Sequence, residues 1–292
     1  MYKLIDGKEV SAFIKNQVRE EVEALKKQGK TVSLAVIIVG NNPASRVYVN
    51  NKKKACEATG IKSYEYALDE NTSEQELLAL IKELNENSEI NGILCQLPLP
   101  KHIDEKKVID AIAAEKDVDC FRAENVGKMW LGDYDFAACT PKGVMLLLEY
   151  YGIDVCGKNC VIIGRSNIVG KPMASLLIEK SATVTVCHSK TKNLSEFTRN
   201  AEVIIAAVGR PRFITADMVS DGAVVIDVGI NRDENGKLCG DVDFESVKEK
   251  ASYITPVPGG CGPMTIAVLM RNTLVCLIHA ASVRSEPESN SP

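Results

Sequence analysis

Val161-Ile-Ile-Gly-Arg-Ser-Asn-Ile-Val-Gly170-Lys-Pro172 runs from a short apolar stretch through a glycine and a polar turn into a helix-compatible sequence. An apolar run closed by glycine suits a buried parallel strand whose chain must turn tightly. The helix behind such a turn offers free N–H groups and a positive dipole end to an anion such as a pyrophosphate. The two glycines are five residues apart rather than set as GxGxxG, so the regular dinucleotide fingerprint fails and an ordinary strand-to-helix turn fits as well. Outward from this point the alternation continues. A helix is expected from Pro141 to Tyr151 before it, then a helix from Lys171 to Lys180, a strand from Thr183 to Cys187, another helix, and strands from Val203 to Ala207 and from Ala223 to Val228. Strands alternating with helices at this spacing mean βαβ units and a parallel sheet, so the fold class is α/β.

In a dinucleotide fold, an acidic residue near the end of the second strand holds the ribose hydroxyls of NAD. The strand ending at Cys187 is followed by His188-Ser-Lys-Thr-Lys192, with a hydroxyl and cations where that carboxylate would stand. This suits a 2′-phosphate and hence NADP, with Arg165 as a second contact. A solvated basic loop is the plain alternative.

The first third also alternates. A helix from Lys8 to Lys27 carries Val10, Phe13, Ile14, Val18, Val22 and Leu25 at helical spacing, and an apolar run from Val32 to Val39 follows. Helix Ala44 to Thr59, strand Ser63 to Leu68, helix Ser73 to Asn85 with a Ser73/Glu76 capping box, and strand Gly92 to Leu97 complete it. Tyr48 and Lys52 stand four apart and share a helical face, whereas Lys53 and Lys54 turn away. A lysine in a partly desolvated pocket has a lowered pKa and moves protons near neutral pH. A lysine-rich helix yields such a pair by chance. Short-chain dehydrogenases carry Tyr-xxx-Lys after their dinucleotide loop, whereas here it comes before Gly164, which argues against them. Gln96 closes an apolar strand where α/β folds place ligands. Lys116-Asp-Val-Asp119 puts two carboxylates in a loop, and Thr255-Pro-Val-Pro-Gly-Gly-Cys-Gly-Pro-Met-Thr265 is a stiff connector into the last helix. Residues 117 to 142 break the pattern and read as the crossing between domains.

The 292 residues suit about two domains. A net charge of −4 and 5% aromatic residues argue against a nucleic-acid partner. The ten cysteines sit mostly in apolar runs and read as buried small hydrophobes, and no zinc-ligand spacing occurs, so no metal is expected. The first residues lack a signal-peptide apolar core, so a cytoplasmic location is expected. Thr265 to Val283 is apolar enough to resemble a membrane span, but Arg271-Asn-Thr273 at its centre favours a buried helix over a membrane partner. Ser285 to Pro292 is expected to fray.

Taken in order, Tyr-xxx-Lys-x-Lys (48 to 54), Gln-Leu-Pro-Leu-Pro (96 to 100), Lys-Asp-Val-Asp (116 to 119), Cys-Thr-Pro-Lys-Gly (139 to 143), Gly-Arg-Ser-Asn-Ile-Val-Gly-Lys-Pro (164 to 172), His-Ser-Lys-Thr (188 to 191), Asp-Val-Gly-Ile-Asn (227 to 231) and Pro-Gly-Gly-x-Gly-Pro-Met-Thr (258 to 265) closely resemble the bifunctional methylenetetrahydrofolate dehydrogenase/methenyltetrahydrofolate cyclohydrolase (FolD) family. The resemblance implies a folate domain (1–138 plus 265–283), a Rossmann-like NADP domain (139–264) and a homodimer, while residues 284–292, polar and Pro-containing, are read from composition as a disordered tail. It implies proton transfer by Lys52, with Tyr48 orienting substrate and Gln96 modulating Lys52. Asp119 anchors the pterin, and Gly262 and Pro263 complete the substrate contacts. Gly164, Arg165, Ser166, Ser189 and Ile230 match the NADP contacts. Tetrahydrofolate derivatives are the implied substrates. Cys120 and Arg122 stand where the family has Gly and His, and Cys261 where it has Val. The readings left open are a monofunctional or NAD-preferring dehydrogenase and a non-catalytic folate or dinucleotide sensor.

Overall fold

The computed structural model describes residues 2–285. In chain order it contains β1 (Lys3–Leu4), α1 (Gly7–Lys27), β2 (Ser33–Val39), α2 (Pro43–Thr59), β3 (Lys62–Leu68), α3 (Glu74–Glu86), β4 (Gly92–Cys95), α4 (Glu105–Ala111), α5 (Ala123–Leu131), α6 (Cys139–Tyr150), β5 (Asn159–Ile163), α7 (Gly170–Glu179), β6 (Thr183–Cys187), α8 (Leu194–Thr198), β7 (Val203–Ala206), β8 (Val224–Asp227), β9 (Asn231–Arg232), β10 (Leu238–Cys239), α9 (Phe244–Val247), β11 (Tyr253–Ile254) and α10 (Cys261–Ser285). Two compact units emerge. One holds residues up to Ala12, Met129–Gly132 and Ala138–Val268; the other holds Phe13–Lys128, Asp133–Ala137 and the chain from Leu269 onward.

The first unit is built on a six-stranded sheet in the order β1-β11-β8-β7-β5-β6, parallel throughout. Strands β7 and β8 are buried along their whole length, and β5 from Cys160 to Ile163, as continuous apolar runs require when both sheet faces are covered. β5 stands between β6 and β7, so successive strands leave it in opposite directions. That is a topological switch point, where α/β sheets bind ligands. Two elements depart from the sequence reading. Lys3 and Leu4, expected with the N-terminal folate domain, pair with Tyr253 and Ile254 and belong to this sheet. The antiparallel pair β9/β10 was not foreseen, because two-residue strands carry no periodicity.

The second unit holds a three-stranded parallel sheet, β3-β2-β4. β2 is central and buried at every residue. α3 begins with the expected capping box, in which the Ser73 side chain accepts from the Glu76 N–H while the Glu76 carboxylate accepts from the Ser73 N–H. Residues 117 to 142, read as a pattern-free crossing, contain α5. Gly127 in its middle lowers helix propensity and hides the signal.

α10 starts at Cys261, four residues before the expected Thr265. By length and composition it could cross a membrane, yet 56% of its most apolar window is buried inside the protein. Asn272 Nδ2 donates to the carbonyls of Val118 (2.8 Å) and Ala137 (3.0 Å), which satisfies a polar group within the helix. Of the expected frayed tail, 286–292 lie outside the described residues. Nine of the ten cysteines are buried and Cys156 is exposed.

Candidate active site

In the unit carrying the three-stranded sheet, the site residues gather where β2 and β4 end. Asn42 caps α2, its side chain accepting from the Ser45 N–H at 3.2 Å. From that fixed start Val49, Lys52, Ala55, Cys56 and Thr59 form the buried face, while Lys53 and Lys54 are exposed. Lys52 is only 8% exposed, so its stem is packed and its ammonium cannot move freely. The Nζ donates to Gln96 Oε1 at 2.9 Å. Gln96 is itself held: its backbone N–H donates to the Ile37 carbonyl (2.8 Å) and its Nε2 to the Leu97 carbonyl (2.7 Å). A neutral amide oxygen thus fixes the ammonium without neutralising it. Tyr48, one turn before Lys52, is 37% exposed, and partial burial raises its phenol above the ordinary value.

Asp119 reaches the same region. Its charge, after burial, helps push the Cys95 thiol up to about 12, and Lys52 pulls the other way. The two carboxylates of the 116–119 loop have different work. Asp117 is buried, accepts from the Arg122 N–H (2.8 Å) and Asn125 Nδ2 (2.9 Å), and is shifted upward by burial, whereas Asp119 is half-buried. Lys116 is a structural residue: its Nζ donates to the carbonyls of Leu84, Asn85 and Asn87 at the end of α3. Cys120 has φ +58 with its side chain buried, a left-handed backbone that favours the glycine the family resemblance leads one to expect there.

In the other unit, β5 runs into Gly164, whose N–H donates to the Cys187 carbonyl at 2.9 Å. Gly164 has φ +137, and a Cβ there would overlap the Ala207 carbonyl oxygen. A Cβ on Gly170 would overlap the Gly164 carbonyl in turn, so both glycines of the quoted turn are required by close approach of backbone. Ser166 Oγ accepts from the N–H groups of Val169 (3.1 Å) and Gly170 (3.3 Å), holding the turn that enters α7. This turn-holding role was not visible in the sequence. Arg165 and Ser189 are exposed. After β6, the Thr191 Oγ1 accepts from the His188 N–H (2.9 Å), shaping a loop with no carboxylate between 188 and 192. Ile230, 48% exposed, places its Cδ1 3.8 Å from the position of a Cβ on Gly262, so an expected cofactor contact and an expected substrate contact are neighbours. Pro263 is half-buried, and its carbonyl accepts from Ser11 Oγ at 3.0 Å. Cys261 is buried at the first position of α10, and burial raises its thiol.

Two buried carboxylates, Asp227 and Asp241, were not foreseen as contributors to this end of the sheet. Asp227 accepts from the N–H groups of Gly229 (2.9 Å), Asp241 (3.0 Å) and Val242 (2.9 Å). Burial, with the Asp241 charge added, outweighs those donors and pushes its carboxyl up to about 7 from an ordinary 3.8. A carboxyl raised on folding holds its proton more tightly in the folded state, so its contribution to stability is full below the free value and is lost as pH rises through the folded one. Between pH 5 and 8, denaturant titration should show the stability advantage of the parent over Asp227→Asn shrinking. An advantage that is constant or grows with pH would place the proton elsewhere.

Residues 5–119 match the catalytic domain of tetrahydrofolate dehydrogenase/cyclohydrolase, and residues 138–281 match its NAD(P)-binding domain. The chain belongs to the tetrahydrofolate dehydrogenase/cyclohydrolase family. It is 61% identical over 272 residues to the bifunctional protein FolD of Agathobacter rectalis, covering 93% of this chain and 98% of that one. The FolD crystal structure from Campylobacter jejuni superposes with a TM-score of 0.94 at 54% identity, covering 96% of this chain and all of that one. The Trypanosoma brucei enzyme, solved with NADP and an inhibitor, does so with 0.92 at 37%, covering 96% and 98%. Family membership makes this chain an enzyme of one-carbon folate chemistry, a dehydrogenase and cyclohydrolase with a nicotinamide dinucleotide domain.

Proposed function

We propose that the chain oxidises 5,10-methylenetetrahydrofolate to the 5,10-methenyl form with NADP and hydrolyses that product to 10-formyltetrahydrofolate, with Lys52 moving the protons. The observation that carries the residue assignment is the Lys52 Nζ to Gln96 Oε1 hydrogen bond, which holds a buried ammonium beside Tyr48 at the carboxyl ends of β2 and β4. NADP, when bound, accepts the hydride. Hydride transfer needs alignment more than acid or base, and Gly164, Gly170, Ser166 and Ile230 serve to bind and orient. The two glycines leave a turn with no room for side chains, so a phosphate group can approach its backbone closely, although the N–H groups of Val169, Gly170 and Lys171 are already taken by Ser166 rather than free as the sequence led one to expect. Attack of water on the methenyl carbon and ring opening require a proton to be removed and one delivered, for which Lys52 is placed and Gln96 keeps it aimed. Asp119 is assigned to the N–H donors of the pterin, with Tyr48, Gly262 and Pro263 as further substrate contacts.

The folate domain is assigned to 1–138 plus 265–283, apart from the strand β1, and the NADP domain to 139–264. A homodimer in the cytoplasm completes this reading. The direct test follows NADPH formation from methylenetetrahydrofolate by absorbance, then methenyltetrahydrofolate disappearance. NADPH formation without cyclohydrolysis would leave a monofunctional dehydrogenase, and neither activity would leave a sensor.

Cofactor preference follows from the loop after β6. Ser189→Asp puts a carboxylate beside the expected 2′-phosphate, so kcat/KM for NADP should fall at least about tenfold through like-charge repulsion while that for NAD does not. Equal kcat/KM for the two cofactors in the parent would remove the basis of this expectation.

A further inference from the structure

We propose that Asp241 is the positioning residue of the dinucleotide site, holding the loops after β7 and β8 in the shape the cofactor meets. Its carboxylate is fully buried and accepts from three successive backbone N–H groups: Val208, Gly209 (3.0 Å) and Arg210 (2.9 Å). It also accepts from Asn231 Nδ2 at 2.8 Å. Three consecutive N–H groups turned onto one anion fix a backbone segment as a ligand fixes an anion-binding nest, here from inside the protein. That segment directly follows Ala207, the residue whose carbonyl packs on Gly164.

Ile230 is held by the same carboxylate from both sides. On one side Gly229 lies so close that a Cβ would overlap the Asp241 carboxyl, and on the other Asn231 donates to it. Asp227 fixes Asp241 in turn by accepting its backbone N–H, and Gly240 leaves no room for a Cβ against Asp227. One buried anion therefore ties the loop beside Gly164 to the loop that presents Ile230. Val208 packs against the core of this unit, whereas Gly209, Arg210 and Ile230 are exposed, so their placement leans on the Asp241 hydrogen bonds.

The inference rests on reading this unit as the NADP site, and the experiment separates the two. A parent enzyme without NADP-dependent oxidation would end that reading before any variant is compared. With an active parent, Asp241→Asn keeps the volume but turns an N–H donor toward backbone donors. The KM for NADP should then rise about tenfold or more, the usual cost of hydrogen bonds to a buried charge. Cyclohydrolase activity, assayed without dinucleotide, should stay within about twofold, since Lys52 and Gln96, to which the proton transfer is assigned, lie in the other unit. Asn231→Ala, which removes one donor and buries no further charge, should raise the KM for NADP by about threefold in a protein that stays folded at the assay temperature, even though its melting temperature falls by a few degrees. An unchanged KM for NADP in Asp241→Asn overturns the proposal, as does an equal loss of both activities, which marks a merely structural group. Should Asp241→Asn not fold, Asn231→Ala decides alone, and an unchanged KM there is the overturning result.

Discussion

Lys52→Met is expected to lower the cyclohydrolase rate by about 100-fold or more, the usual cost of removing one positioned acid/base group, in a protein that still folds and still binds NADP. Methionine keeps the length and the apolar stem of lysine, and the stem is what the buried face of α2 packs. What disappears is the ammonium and its hydrogen bond to Gln96. The loss of that bond frees the Gln96 Oε1, but the backbone and Nε2 bonds of Gln96 remain, so the end of β4 should hold its place. Dehydrogenase activity should fall less, because hydride transfer requires no proton carrier. Methenyltetrahydrofolate disappearance, corrected for spontaneous hydrolysis and measured on a variant whose circular dichroism matches the parent, decides it. Retention of more than about a tenth of the parental rate would put the proton transfer on another group.

Gly164→Ala should produce the opposite split, with the dehydrogenase lost and the cyclohydrolase kept. The added methyl meets the Ala207 carbonyl oxygen, a backbone atom that cannot swing aside, and φ +137 is unfavourable for any residue with a Cβ. Strain of this kind costs about 1 to 3 kcal/mol and overpacking a similar amount, so either the turn shifts or the unit is destabilised. A shift of about 1 Å in a binding turn is enough for roughly a 100-fold loss, and kcat/KM for NADP should fall by that order. Thermal melting with and without NADP tests the same point, because the stabilisation that bound cofactor gives the parent should vanish in the variant. A variant with parental kcat/KM for NADP would show that the turn after β5 does not carry the phosphate contact.

The parallel sheet around β5 was legible because buried parallel strands are continuous apolar runs, and Val161 to Ile163, Val203 to Ala206 and Val224 to Ile226 are such runs. Lys52 stood out from Lys53 and Lys54 by helical geometry alone, and the burial of the three follows that geometry. Asp241 could not be found this way. Apart from Asn231, its partners are backbone N–H groups of residues 208 to 210, which have no sequence signature. Ser166 was expected at the cofactor but not as the acceptor that holds this turn, because its donors are the backbone N–H groups of Val169 and Gly170, which leave no mark in the sequence. β1 carries two residues and no periodicity, so only its pairing reveals it.

That pairing sets an order of events during synthesis. Lys3 finds its partner in Tyr253, so β1 must wait while 250 further residues are added. At ribosomal speeds of 5 to 20 residues per second the wait is roughly 10 to 50 seconds. During that time β2 and β3, adjacent in sequence and in register from Ser33 with Lys62 onward, can already have closed. The outer edge of β11 meanwhile does not exist. The β1–β11 pairing of the six-stranded sheet therefore joins two strands made far apart in time, and it closes late whatever the order in which the site residues settle.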